Sequence, residues 1–141
     1  MSRGAIAQAC PCGKLDGARH PLVYTHCCGR LLDDFAGTPA PDAESLMRSR
    51  YTAFVLQRAD YLLATWHISR RPPKIEFDTG VKWLGLEVRQ HRVLDETQAE
   101  VEFVARQKSP GTAAVRLHER SRFVKGGDAP GRWYYLEGDS L

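Results

Sequence analysis

The chain lacks any long hydrophobic run. Its longest apolar stretches, such as residues 52–56 and 61–65, fall far short of the ~18 residues a membrane-spanning helix needs. No internal repeat and no low-complexity tract is present, which excludes a fibre or a solenoid. Strong charge of either sign is missing too: 20 Lys and Arg against 17 Asp and Glu leave +3. The basic residues are spread, with small knots at Arg48/Arg50, Arg70/Arg71 and Arg116/Arg120/Arg122, which is not the clustered pattern of a dedicated nucleic-acid domain. Residues 1–9 hold one arginine and no apolar segment of the kind an export signal requires, so a cytoplasmic location is expected. No Walker loop, dinucleotide glycine fingerprint or zincin motif occurs, and Ser49 and Ser121 have no histidine beside them in sequence. What remains is 141 residues with 43% hydrophobic and 26% charged side chains, a length and balance that suit one globular domain.

Cysteine is absent from residue 29 onward, and all four cysteines fall within the first 28 residues: Cys10, Cys12, Cys27 and Cys28. The arrangement is Cys-x-Cys, a gap of fourteen residues, then Cys-Cys. Four thiolates brought together make a closed tetrahedral zinc site, which is structural because no coordination position stays open for a substrate. In a reducing compartment paired cysteines hold metal more often than they form disulfides. Other arrangements stay open at this point. Two disulfides or a redox dithiol could form, although Cys-x-x-Cys spacing is missing and a Cys27–Cys28 bridge would be strained. His20 or His26 could replace one cysteine as a ligand. Gly13 and Gly29 follow the two pairs, where glycine permits positive φ and lets backbone N–H groups approach the sulfurs.

Cys-Pro-Cys-Gly at 10–13 and Tyr-Thr-His-Cys-Cys-Gly at 24–29 resemble the SEC-C motif, the zinc knuckle at the C-terminus of the SecA translocation ATPase. The resemblance implies zinc ligation by Cys10, Cys12, Cys27 and Cys28. The ends of the motif match, whereas the segment between the pairs is longer than usual and differs in sequence.

Residues 31–41 read as a linker, with Gly37, Pro39 and Pro41. Asp42 is a good N-cap, and Leu46, Met47, Tyr51, Phe54 and Val55 recur at helical spacing, which predicts a helix over 43–58. Asp60 can cap a second helix that ends before Arg70-Arg71-Pro72-Pro73. The period then changes to two. Strands are predicted around 84–89, 101–106, 112–124 and 132–136, separated by turns at Ser109-Pro110-Gly111 and Gly126-Gly127-Asp128. Two helices followed by hairpin-linked strands argue for an α+β domain, helices on one face of a curved antiparallel sheet.

This order resembles the NTF2-like fold, a cone of curved sheet closed by helices. More closely, Leu46-Met47-Arg48-Ser49-Arg50-Tyr51, Thr65-Trp66-His67, Trp83-Leu84-Gly85-Leu86, Glu119-Arg120-Ser121-Arg122-Phe123 and Trp133-Tyr134-Tyr135 resemble the YchJ-type family of bacterial proteins. That family joins SEC-C motifs to an NTF2-like domain. The resemblance implies three parts: a zinc knuckle over 1–30, a linker over 31–41 and an NTF2-like domain over 42–141. It implies no reaction. A homodimer through the sheet is a further expectation from the same source.

On the third strand Val115, Leu117, Glu119, Ser121 and Phe123 share the apolar face, while Arg116, His118, Arg120 and Arg122 share the other. Glu119 thus falls among core positions, where a carboxylate must be paired, hydrogen-bonded or protonated. Arg50, Arg48 and His67 are the candidate partners, and Arg50, Tyr51, Trp66, Trp83, Ser121, Trp133 and Tyr135 are the candidate walls of a pocket. Three functional readings follow. The first is an adaptor whose zinc knuckle docks a protein or ribonucleoprotein partner, with a possible small-molecule ligand in the cone. The second is a small-molecule enzyme of hydrolase, dehydratase or isomerase type, with Glu119 as general acid or base and His67 as its partner. The third is RNA contact through the basic stripe. In the first reading, replacing Cys27 and Cys28 should unfold the knuckle and spare the cone.

Overall fold

A computed structural model describes residues 8–141. The N-terminal segment read above for an export signal lies mostly outside these residues. The described residues open with a short hairpin held by Cys10 N–H donating to the Leu22 carbonyl (2.8 Å) and Leu22 N–H donating to the Lys14 carbonyl (2.9 Å). Its tip is tied by Asp16, whose carboxylate accepts from the N–H groups of Ala18 (2.8 Å) and His20 (2.9 Å). A 3-10 turn, Tyr24–His26, leads into helix α1, Cys28–Leu32. Leu31 and Leu32, assigned to the linker on composition, complete α1 and are buried. Beyond them most of that stretch is exposed, but Phe35 packs inward. Phe35 meets Tyr61 edge-on at 6.0 Å, and the Arg132 guanidinium lies 3.9 Å over the Phe35 ring.

Helix α2 spans Ala43–Val55, three residues shorter than the sequence spacing predicts. Asp42 caps it, accepting from Ser45 N–H at 2.7 Å. It stops because Gln57 adopts φ +57, a left-handed turn that lets Arg58 N–H reach back to the Ala53 carbonyl. Helix α3 spans Ala59–Ala64 with Arg58 at the N-cap, so Asp60 stands in the first turn rather than capping it. Ser49 and Tyr61 join the two helices through a 2.7 Å hydroxyl contact in the core.

Four strands follow: β1 (Lys82–Val93), β2 (Gln98–Lys108), β3 (Val115–Lys125) and β4 (Trp133–Ser140). They form one antiparallel meander in the order β1-β2-β3-β4. The register is interrupted between Trp83 and Gly85, between Val88 and Gln90, and between Arg122 and Phe123. Each interruption adds local twist and bends the sheet, which is how a flat ribbon becomes a cone. Helix α2 lies across it, touching β1, β2 and β4. The core runs without a break from the cysteines through Leu31, Leu32, Leu46 and Leu62 to Val101, Phe123 and Trp133. Among the described residues no helix is long and apolar enough to cross a membrane.

Candidate functional site

Two sites lie on different faces of α2. On one face the sulfur atoms of Cys10, Cys12, Cys27 and Cys28 all lie within 4.8 Å of one another. The hairpin turn delivers the first pair and the entry to α1 the second. Cys12 and Cys27 approach to 3.6 Å. Tetrahedral zinc with Zn–S of about 2.3 Å requires sulfurs about 3.8 Å apart, so donor type, number and spacing fit a closed S4 site. Neither His20 nor His26 belongs to the group. The His20 side chain is 78% exposed beside Asp16. The cysteines are free of disulfides. Contacts from Cys12, Cys27 and Cys28 favour the thiolate of Cys10, the form in which a cysteine binds metal. The backbone N–H of Cys12 also favours the Cys10 thiolate, a contact of the kind that tunes thiolate sites.

The two glycines act differently. Gly13 has φ +75, a conformation that favours glycine. Gly29 is helical and is required for space, since a Cβ there would sit 2.7 Å from the Tyr24 ring. Helix α2 grips the cysteine turn directly. Arg48 donates through Nη1 to the Cys12 carbonyl (3.0 Å) and through Nε to Glu44 (2.9 Å). Thr52, fully buried, places Oγ1 3.7 Å from the Cys10 sulfur. Spacing within the sequence gives no hint of either contact.

On the other face of α2 a cavity of about 270 Å³ opens between helix and sheet. Arg50, Tyr51, Trp66, Trp83, Glu119, Ser121 and Tyr135 all line it, together with Met47, Phe54 and Phe103. Trp133 does not. It is 8% exposed, opposite Lys125 in the sheet. It shares Tyr135's side of the strand by alternation but sits two residues, roughly 7 Å, further along. His67 is also absent from the lining. The reason is a parallel bridge between Trp66 and Tyr135. Tyr135 N–H donates to the Thr65 carbonyl and His67 N–H to the Tyr135 carbonyl, both at 2.8 Å. In this extended pairing successive side chains alternate. Trp66 turns inward against Tyr135 (5.2 Å between ring centroids), and His67 turns outward against Tyr134 (6.2 Å) and Ser69 Oγ (2.7 Å). Arg71 fixes the bridge by donating through Nε (3.0 Å) and Nη2 (2.8 Å) to the Trp66 carbonyl.

Two charged groups face the cavity without meeting. Arg50 is 7% exposed and has no carboxylate within ion-pair distance among the described residues. Its Nη1 donates to the Leu62 carbonyl (2.7 Å) and Thr65 Oγ1 (2.6 Å), and its guanidinium lies over the rings of Tyr135 (4.5 Å) and Trp66 (5.2 Å). Burial pulls its pKa down to about 10. Glu119 has neither an ion pair nor a hydrogen bond to Arg50 or to a tyrosine, and burial raises its pKa. Trp66 Nε1 is buried without an acceptor among the described residues.

On the outer sheet face three of the four residues of the basic stripe are paired with acids, while Arg116 is exposed with no ion pair among the described residues. His118 and Arg120 bind Glu102 (2.7 and 3.4 Å), and Arg122 binds Glu137 (3.0 Å) and Asp139 (2.7 Å). The acids come from the neighbouring strands, which a reading of β3 alone does not reveal.

A family model described as the middle NTF2-like domain of YchJ matches residues 42–138. The chain belongs to the YchJ family. Its match begins at Asp42, the N-cap of α2. The chain is 75% identical to a UPF0225 protein of Polaromonas sp., over 93% of this chain and 92% of that one. It is 53% identical to a UPF0225 protein of Bordetella parapertussis, again over 93% and 92%. Two solved structures share the fold and the motif, both of SEC-C motif containing proteins. That of Psychrobacter arcticus has a TM-score of 0.75 at 33% identity, covering 92% of this chain and 81% of that one. That of Rhodopseudomonas palustris has a TM-score of 0.76 at 34% identity, covering 95% and 99%. The YchJ architecture is therefore an NTF2-like α+β domain with a cysteine cluster set against the first long helix.

Proposed function

We propose that this YchJ-family chain is a zinc-braced binding protein whose cone holds a small organic molecule. The observation that carries this reading is the aromatic-walled cavity with Arg50 and Glu119 both inside and unpaired. An apolar pocket with a few convergent polar groups is the usual form of a ligand site, and a buried arginine and a half-buried glutamate left apart have no evident use in stability alone. In this reading Cys10, Cys12, Cys27 and Cys28 hold Zn²⁺, which would supply a structural cross-link and no chemistry. The division into knuckle (1–30), linker (31–41) and NTF2-like domain (42–141) is part of the proposal, as is a cytoplasmic setting that keeps the thiols reduced. The adaptor role rests on the hairpin tip, where Lys14, Arg19 and His20 are exposed and available to a protein or ribonucleoprotein partner. A homodimer through the sheet would have to cover the ion pairs of Glu102 and Arg122.

The enzymatic alternative keeps one support, the raised pKa of Glu119 beside Ser121 and Tyr135 in the same cavity. Its proposed partner His67 faces away from that cavity. A native mass spectrum of protein purified without added metal tests the main reading. One zinc per chain plus a bound organic mass is the expected result. Zinc with an empty cone favours the adaptor role alone. Conversion of the bound molecule on incubation, lost in Glu119→Gln, would favour the enzyme.

A further inference from the structure

We infer that the molecule the cone takes is a small organic carboxylate, its carboxylate group held by the free edge of Arg50. This deepens the binding reading above and rests on it. The guanidinium has five N–H donors, and the two on Nη1 are consumed by the Leu62 carbonyl and Thr65 Oγ1. Nε and Nη2 make no hydrogen bond among the described residues. These two atoms form the side-on fork that matches a carboxylate bidentately. The same fork is seen occupied elsewhere in this protein, where Arg71 uses Nε and Nη2 on the Trp66 carbonyl.

Arg50 is not free to seek another partner. Its Nη1 bonds fix one end, and the rings of Tyr135 and Trp66 hold its plane at 4.5 and 5.2 Å. A cation so placed has been desolvated and oriented without being neutralised, an arrangement that favours an incoming anion. Trp66, in the same wall, has a buried N–H without an acceptor. The apolar remainder of the lining, with Phe54, Trp83, Phe103 and Phe123, suits a hydrocarbon or aromatic body. At about 270 Å³ the cavity lies just below the ~300–1,000 Å³ of sites for drug-sized ligands, so one ring or a short chain fits. Phosphate-bearing ligands are disfavoured, because Arg50 is the sole cationic side chain in the lining and the lining also holds the carboxyl of Glu119.

The test uses the zinc-loaded full chain and matched pairs of probes, phenylacetate with phenylacetamide and benzoate with benzamide. Binding is followed by calorimetry and by the fluorescence of Trp66 and Trp83. The expected result is that each acid binds about ten- to a hundredfold more tightly than its amide. Arg50→Met, checked for folding by circular dichroism, should abolish that preference. Equal binding of acid and amide overturns the carboxylate inference and leaves the pocket reading intact. Failure of all four probes at millimolar concentration overturns both. The acid-to-amide ratio in the unmutated chain decides the matter even where Arg50→Met does not fold. Phenylalanine serves as a further arm: binding tighter than phenylacetate, reduced by Glu119→Gln, would identify the carboxylate as that of an amino acid whose ammonium meets Glu119.

Discussion

The knuckle and the cone are built on the same helix by different physics. The knuckle spans some twenty residues and contributes few apolar side chains of its own. Sulfur atoms, backbone bonds and Asp16 define its shape, and a metal cross-link would supply the cohesion that so short a segment cannot get from burial. The cone has bulk: Leu46, Leu62, Val101 and Phe123 are each 1% exposed or less. It can therefore leave a cavity lined by a buried arginine and a half-buried glutamate that do not pair. Helix α2 is buried nearly all round because it serves both. Arg48 and Thr52 face the cysteines, Met47, Arg50, Tyr51 and Phe54 face the cavity, and Ser49 meets α3. A segment without spare hydrophobic area must be specified contact by contact, whereas a well-packed domain can tolerate a void.

The sharpest way to break the comparison is to remove the cysteine cluster. Cys27→Ser with Cys28→Ser should abolish metal binding and melt the knuckle, since binding energies for structural zinc are on the order of 10 kcal/mol. Sequence reasoning expects the cone to be spared. The shared core, with Arg48 on the Cys12 carbonyl and Leu31 and Leu32 buried beside α2, predicts instead that the cone's thermal midpoint also falls, by about 5 °C or more. An unchanged midpoint would show that the two parts fold independently. Next in size is the cone's own packing. Leu62→Ala should cost about 2–5 kcal/mol in urea unfolding while metal content stays at the unmutated level. Arg48→Met cuts the strap between the regions and leaves a buried carbonyl unpaired. A loss of about 1–3 kcal/mol is expected, with weaker metal retention against a chelator. Asp42→Ala removes the cap of the shared helix and should cost about 1 kcal/mol, lowering both regions together.

The smallest effect concerns the cavity. Glu119 has a raised folded-state pKa, so the native chain binds its proton more tightly than the unfolded chain does. Ionising it then opposes folding, and its contribution to stability declines as pH rises through the ordinary carboxyl range toward the folded-state value. Glu119→Gln should accordingly be slightly more stable than the unmutated protein near neutrality, with the difference vanishing at acid pH. Thermal melts at a series of pH values check this. A constant difference across pH would mean that the charge is not the cause.

Much of the architecture is legible in the residues. The spacing of Leu46, Met47, Tyr51 and Phe54 marks α2, the change of period marks the sheet, and the Cys-x-Cys and Cys-Cys pairs mark the cluster. The inward face of β3 follows from alternation, which is why Glu119 and Ser121 are readable as cavity residues. Sequence and structure part where a neighbour decides. Leu31 and Leu32 sit in a stretch whose prolines and glycine read as linker, yet α2 offers them a surface to bury against. Trp133 has the right parity and the wrong position along the strand. His67 follows an inward tryptophan, and only the Trp66–Tyr135 bridge reveals that the segment is extended there and turns the imidazole out. The basic stripe of β3 is real as sequence, but acids on β2 and β4 pair three of its four residues and leave only Arg116 without one among the described residues.

By itself, then, the sequence determined the α+β class, the four-cysteine set and the polarity of each strand face, because these depend on local spacing and side-chain chemistry. Tertiary structure decided that the knuckle and cone share one core, that His67 and Glu119 do not meet, and that Arg50 and Glu119 share a cavity without pairing. Those outcomes turn on distances between segments far apart in the chain. Such distances are set by how the sheet bends at its bulges and where α2 crosses it, which no local pattern encodes.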